Sequence, residues 1–174
     1  MAYTTHTEDF VKQLYLKIGI LKPEHLDYKK IANSLGIRVF PAPYDNGPSQ
    51  ALFAGDIPFI FLEQNLTPQQ IWQEFCHELC HVLNHSGNQA VMPFMWVEYQ
   101  ENKANNFMYH ACIPTFMLDT LEIHNDDALT VLHLQRLFNV EYDFASKRLT
   151  QYLSNKYTML NWHNTTRDSV VQQG

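Results

Sequence analysis

Cysteine is scarce in this sequence: three residues, Cys76, Cys80 and Cys112, with no framework spacing. An odd count without paired spacing argues against a disulfide-stapled secreted domain. Cationic runs are missing as well. No Lys/Arg stretch exceeds two residues, and the formal net charge is −6 with histidine neutral. The basic footprint of a nucleic-acid binder is therefore absent, and no direct contact with nucleic acid is expected. The first residues have neither a basic n-region nor an apolar h-region, and no apolar run approaches the ~18 residues of a membrane span. There is no internal repeat and no low-complexity block. The expectation is a soluble, cytoplasmic protein that does not engage the membrane.

What is present is a core. The 174 residues are 45% hydrophobic and 13% aromatic, which suits one domain. That domain is expected over 1–160, with a helical C-terminal module at about 120–155 and a flexible tail over 161–174. Apolar spacing predicts a helix over 8–20, with Thr5 or Thr7 as cap, and a second from Pro23 to Leu35, stopped by Gly36. Strands are expected at Ile37 to Phe40, Ala51 to Ala54 and Ile57 to Leu62, the last two flanking a Gly55-Asp56 turn. Helices follow at 94–112, 126–137 and 141–154, with a turn at Phe138-Asn139-Val140. The last two outline a helix-turn-helix. Their mixed charges, Asp126, Asp127, Glu141 and Asp143 against Arg136, Lys147 and Arg148, favour a packing role over DNA contact.

The most informative stretch is His77-Glu78-Leu79-Cys80-His81, a match to H-E-x-x-H. Residues four apart share a helix face, so both imidazoles can grip one metal ion while Glu78 sits beside its open position as a general base. Thr67-Pro68-Gln69-Gln70 starts the helix with a capping box. Its apolar side is Ile71, Trp72, Phe75, Leu79, Val82 and Leu83. The opposite stripe is Glu74, His77, Glu78, His81 and His85, so the motif should face a cleft.

A catalytic zinc takes a third protein ligand. Glu101 falls on the inward stripe of the 94–112 helix, with Val97, Ala104, Met108 and Ala111, and is the choice. Glu98, one turn earlier, is the alternative. Asn105, one turn later, is placed to orient a ligand histidine, and His85 is expected close to the site without binding the metal. The plain alternative for His77, Glu78 and His81 is a solvated polar face. Cys76 and Cys80 are expected to be structural thiols, although as an i, i+4 pair they could bind a soft metal. The other histidines, 6, 25, 110, 124, 133 and 163, read as surface residues. Tyr99 and Tyr109 could donate to a developing oxyanion, but nothing selects them.

At this point the chain resembles the ImmA/IrrE metallopeptidases of mobile elements and stress responses. The resemblance rests on His77 to His81 with His85, on Glu101-Asn102-Lys103-Ala104-Asn105-Asn106-Phe107, on Ile113-Pro114, and on Leu132 to Leu149 with its Leu-Phe-Asn-Val and Arg148-Leu149. Leu35-Gly36-Ile37 is also similar, so about residues 30–150 are covered. Cys80 departs from the family's usual Gly, and Met108 and Tyr109 from its small residues. The resemblance implies an α+β, zincin-like fold: N-terminal helices with a small three-stranded sheet, an H-E-x-x-H helix, a glutamate helix and a C-terminal helical module. It implies zinc on His77, His81 and Glu101, and Glu78 as general base. It further implies a helix-turn-helix repressor as substrate, cut to relieve repression of a prophage, mobile element or stress regulon.

The substrate is expected as an extended segment along an exposed edge of the 57–62 region, with a folded partner docked elsewhere, the C-terminal helices being one place for it. An acidic enzyme suits a basic repressor. The rival reading is a non-catalytic, zinc-stabilised antirepressor, for which Glu78 has no use. A third is a metal or redox sensor built on Cys76 or Cys80.

Overall fold

The computed structural model describes residues 4–43, 47–84, 92–123, 125 and 127–171, with 159–171 as backbone. Helix α1 (His6–Lys17) starts where Thr5 and Glu8 cap each other: Glu8 N–H donates to Thr5 Oγ1 at 3.3 Å, and Thr5 N–H to a Glu8 carboxylate oxygen at 2.7 Å. Two orphan donors are satisfied together. The expected second helix is broken. Pro23–His25 is a 3-10 turn, and α2 is only Tyr28–Ser34. Asp27 causes the break, because its carboxylate accepts the N–H groups of Lys29 and Lys30 at 2.9 and 3.0 Å and so starts a new helix.

Strands β1 (Arg38–Pro41), β2 (Gln50–Ala54) and β3 (Ile57–Leu62) form one sheet in the order β1-β3-β2. β1 runs parallel to β3, and β2 antiparallel to it. The β2–β3 hairpin closes from Ala54 to Ile57 around Gly55, whose φ of 61° lies in the left-handed region. The inner face sends Ile60 and Leu62 into the core. The outer face carries Phe40, Phe59 and Phe61, stacked with centroids 6.1–6.4 Å apart.

Helix α3 (Pro68–Asn84) begins with the Thr67/Gln70 capping box, at 3.3 and 3.0 Å. Trp72, Phe75, Cys76, Leu79 and Cys80 are its buried apolar residues. Helix α4 (Phe94–Cys112) ends as expected before Pro114. Cys112 Sγ lies 3.9 Å from the Trp72 carbonyl while Glu101 meets His77, so the two helices run antiparallel. A short α5 (Thr115–Leu118) leads to α6 (Ala128–Phe138) and α7 (Tyr142–Val171). Asn139, at φ 51°, makes the turn between the last two. Helix α7 runs well past 154, where it was expected to end, because no Gly or Pro interrupts 142–171. No helix among the described residues is long and apolar enough to cross a membrane.

His110 and Arg148 are not surface residues. They are 2% and 0% exposed, beside Glu8. Helix α4 is covered on a second side by α1 and α7, so a side chain pointing away from α3 still meets protein. Arg148 donates to the Ile113 carbonyl (3.1 Å) and to Thr115 Oγ1 (2.6 Å), and Thr115 in turn donates to Glu8 Oε1 at 2.6 Å. Burial and the neighbouring Arg148 cation hold His110 down from 6.5 to about 4, against the pull of Glu8. Hydrogen bonds from Thr115 and Thr5 outweigh burial and lower Glu8.

Both shifts have the same sign for stability. The unfolded chain takes up protons that the folded chain refuses, so stability falls as pH drops from about 6.5 toward 4. Denaturant midpoints between pH 7 and 4.5 should show that loss, and His110→Gln should flatten it; an unchanged slope would remove His110 from the account. Arg148→Ala, which removes the buried cation 3.9 Å from Glu8 and leaves the Ile113 carbonyl without its donor, should cost about 3–5 kcal/mol in the same assay at pH 7.

Candidate metal centre

His77 and His81 project from one face of α3 because four residues nearly complete a turn. Their Nε2 atoms lie 3.1 Å apart. Glu101, from α4, puts Oε2 3.1 Å from His77 Nε2 and Oε1 3.4 Å from His81 Nε2. Three donors thus converge, all within 4.8 Å of one another. Tetrahedral zinc ligands at about 2.0–2.2 Å from the ion sit roughly 3.3–3.6 Å apart, so the donor set and its spacing fit a zinc ion. The imidazoles are mostly buried, and the Glu101 side chain is 39% exposed, which leaves one side open.

Glu78 is deeper than a cleft-facing stripe implies, at 6% exposure. Helix α3 packs against β2, and the Ala51 N–H donates to the Glu78 carboxylate. Burial, with Glu74 and Glu101 nearby, pushes Glu78 up to about 8, partly offset by that hydrogen bond. A dication held by His77, His81 and Glu101 would draw it back down.

The hairpin fixes which β2 groups are free. In a two-residue hairpin the closing pair, Ala54 and Ile57, is hydrogen-bonded, so by alternation Leu52 and Gln50 also bond to β3. Ala51 and Phe53 turn their backbone groups to the open edge. The bond from Ala51 N–H to Glu78 agrees with that phase. The edge beside the site is therefore β2. Strand β3, expected to offer it, is paired on both sides and has no free edge. Strand order arises from long-range pairing, which local alternation does not encode.

Asn105 is exposed. In an antiparallel pair it lies about 6 Å along α4 from Glu101, toward the start of α3. Glu98 is exposed and outside the donor cluster. His85 lies outside the described residues. Cys80 is buried, and burial pushes its thiol up to about 11, so it is not a thiolate near neutral pH. Cys76 turns toward Cys112 and Tyr15 rather than pairing with Cys80. Both thiols therefore serve the core, which weakens the sensor reading. Tyr109 stacks on Phe144 at 4.4 Å, and Tyr99 is exposed beneath Lys103.

Residues 32–150 match the Peptidase_M78 family model, the IrrE N-terminal-like domain. The chain belongs to this family. It is 38% identical over 154 residues to the phage-like element PBSX protein XkdA of Bacillus subtilis (strain 168), covering 88% of this chain and 76% of that one. It is 37% identical over 153 residues to YqaB of the same strain, covering 87% of each. The donor cluster and Glu78 lie within the family match.

Purified protein is expected to hold about one zinc per chain by elemental analysis. His77→Ala, His81→Ala and Glu101→Ala should each lose most of it, while Glu98→Ala keeps it. Retention by Glu101→Ala with loss by Glu98→Ala would reassign the third ligand.

Proposed function

We propose that this protein is a zinc-dependent endopeptidase with a zincin-like site, making one specific cut in a helix-turn-helix transcriptional repressor. The cut would relieve repression of a prophage, mobile element or stress regulon. The observation that carries the reading is the convergence of His77, His81 and Glu101 beside a buried Glu78, at an open sheet edge. A purely structural zinc site is normally closed by a fourth protein ligand and has no use for that carboxylate.

His77, His81 and Glu101 would hold the metal. Zinc bound there supplies Lewis acidity, lowering the pKa of water toward ~7 and polarising a carbonyl. Glu78 handles the proton, taking it from the attacking water and passing it to the leaving amine. The Ala51 N–H holds that carboxylate on the β2 side of the site. The open edge of β2 offers Ala51 C=O and both backbone groups of Phe53 to an extended substrate. Such main-chain pairing is indifferent to sequence, so selectivity requires further contacts. The family and the phage-like element relative support the mobile-element setting. The net charge of −6 suits a basic DNA-binding partner in the cytoplasm.

The test is incubation with the helix-turn-helix protein encoded beside this gene, followed by mass spectrometry. One chelator-sensitive cut is expected, and casein should be cut far more slowly. Glu78→Gln should keep fold and zinc while losing about 10²–10⁴-fold or more in rate. Equal repressor inactivation by Glu78→Gln and wild type would favour a non-catalytic antirepressor instead.

A further inference from the structure

We propose that Leu52, on the outward face of β2, is a specificity-determining residue that selects an apolar side chain at one position of the substrate. The inference rests on the peptidase reading and on an extended substrate at the β2 edge. The register supplies the rest. Across the sheet, Arg38, Phe59 and Leu52 stand in one row, since Arg38 pairs with Phe59 and Phe59 with Leu52. Their side chains share the outer face, where Arg38 lies over the Phe59 ring at 5.6 Å. Leu52 ends that row at the open edge and is 47% exposed.

A strand added beyond β2 extends the row by one residue. Successive side chains alternate between faces, so the substrate residue opposite Leu52 points to the outer face, away from Glu78. Antiparallel pairing is the more stable arrangement. Leu52 uses its own hydrogen bonds on β3, so toward the edge it forms a non-hydrogen-bonded pair, in which the two Cα atoms approach to about 4.5 Å and the side chains are closest. The newcomer therefore packs on Leu52, with Phe59 behind it. Its outward neighbours two residues away meet Gln50 and Ala54, a polar and a small side chain. Such a surface asks for one apolar residue and leaves the flanking outward positions permissive. The substrate class is thus an extended protein segment with an aliphatic or aromatic residue at that one position.

The experiment uses the full chain loaded with zinc and the helix-turn-helix protein encoded beside the gene. Each residue within four of the mapped cut is changed in turn to Leu and to Asp. Wild type should favour Leu over Asp about 2–5-fold in kcat/KM at one position, through KM. Leu52→Arg, on an exposed side chain, should reverse the preference there to Asp and leave the positions two residues away unchanged. A wild-type profile without that preference, or an unchanged profile in Leu52→Arg while cutting persists, would overturn the assignment. No cleavage by zinc-loaded wild type would instead sink the peptidase reading, and this assignment with it.

Discussion

The antiparallel approach of α3 and α4 sets the separation between the histidine pair and Glu101. Neither helix holds the three donors alone. A rotation of α4 by one residue, about 100°, would carry Glu101 off the site. The seam is fixed by burial: Phe75, Cys76 and Leu79 from α3 and Ala104, Phe107 and Ala111 from α4 share one core. Several of these are short, and short side chains let helix axes approach toward the lower end of the usual ~8–10 Å. Helix α4 is locked from behind as well. Tyr15 of α1 donates its hydroxyl to the Ala111 carbonyl at 2.9 Å, and Arg148 of α7 takes the Ile113 carbonyl just past the end of α4. The buried Glu8–Thr115–Arg148 chain thus acts on the site from a distance, by holding the helix that carries Glu101.

The site itself opposes stability. Glu78 is buried near two other carboxylates, and burial above all, with their charge, favours its protonated form up to about 8. His77 Nε2 faces both His81 Nε2 and Glu101 Oε2. Bringing like donors together in a partly dry cleft costs free energy unless a cation sits among them. The surrounding core supplies the excess that lets the cluster persist, with Phe75 and Leu79 fully buried on the far side of the same helix. A metal binding only the folded form would add its own binding free energy to stability.

Local pattern made several elements legible in the sequence. The Thr67-to-Gln70 cap, the ends of α4 and the Gly55-Asp56 hairpin each follow from a short-range signal. So does the proximity of His77, His81 and Glu101, since two helical periodicities and one chain reversal suffice to predict it. What was illegible depends on distant packing. His110 reads as a surface residue because a helix packed on two sides has no polar stripe to betray it. The break at Asp27 was hidden beneath plausible helix periodicity. The identity of the edge strand was misread, since β1, β2 and β3 carry similar alternation and only their order tells the centre from the rim.

That order also explains why the two rims differ. On β1, Ala42 N–H bonds back to the Leu62 carbonyl, so the donor of residue 41 would point outward; residue 41 is proline and has none. Helix α2 packs against the same strand. An edge blunted by proline and partly covered is a poor template for another chain. β2 has no proline, and among the described residues the helix that packs against it is α3, from the side that carries Glu78. Its Ala51 N–H bonds to Glu78, the Ala51 carbonyl and both backbone groups of Phe53 face outward, and Leu52 and Phe53 are exposed. An apolar edge with outward-facing backbone groups invites aggregation, so keeping one next to a cluster of histidines and carboxylates makes physical sense if that edge is used. Among the described residues, the rim away from the site is thus blunted at Pro41, while the β2 rim keeps outward-facing backbone groups on the side of Glu78.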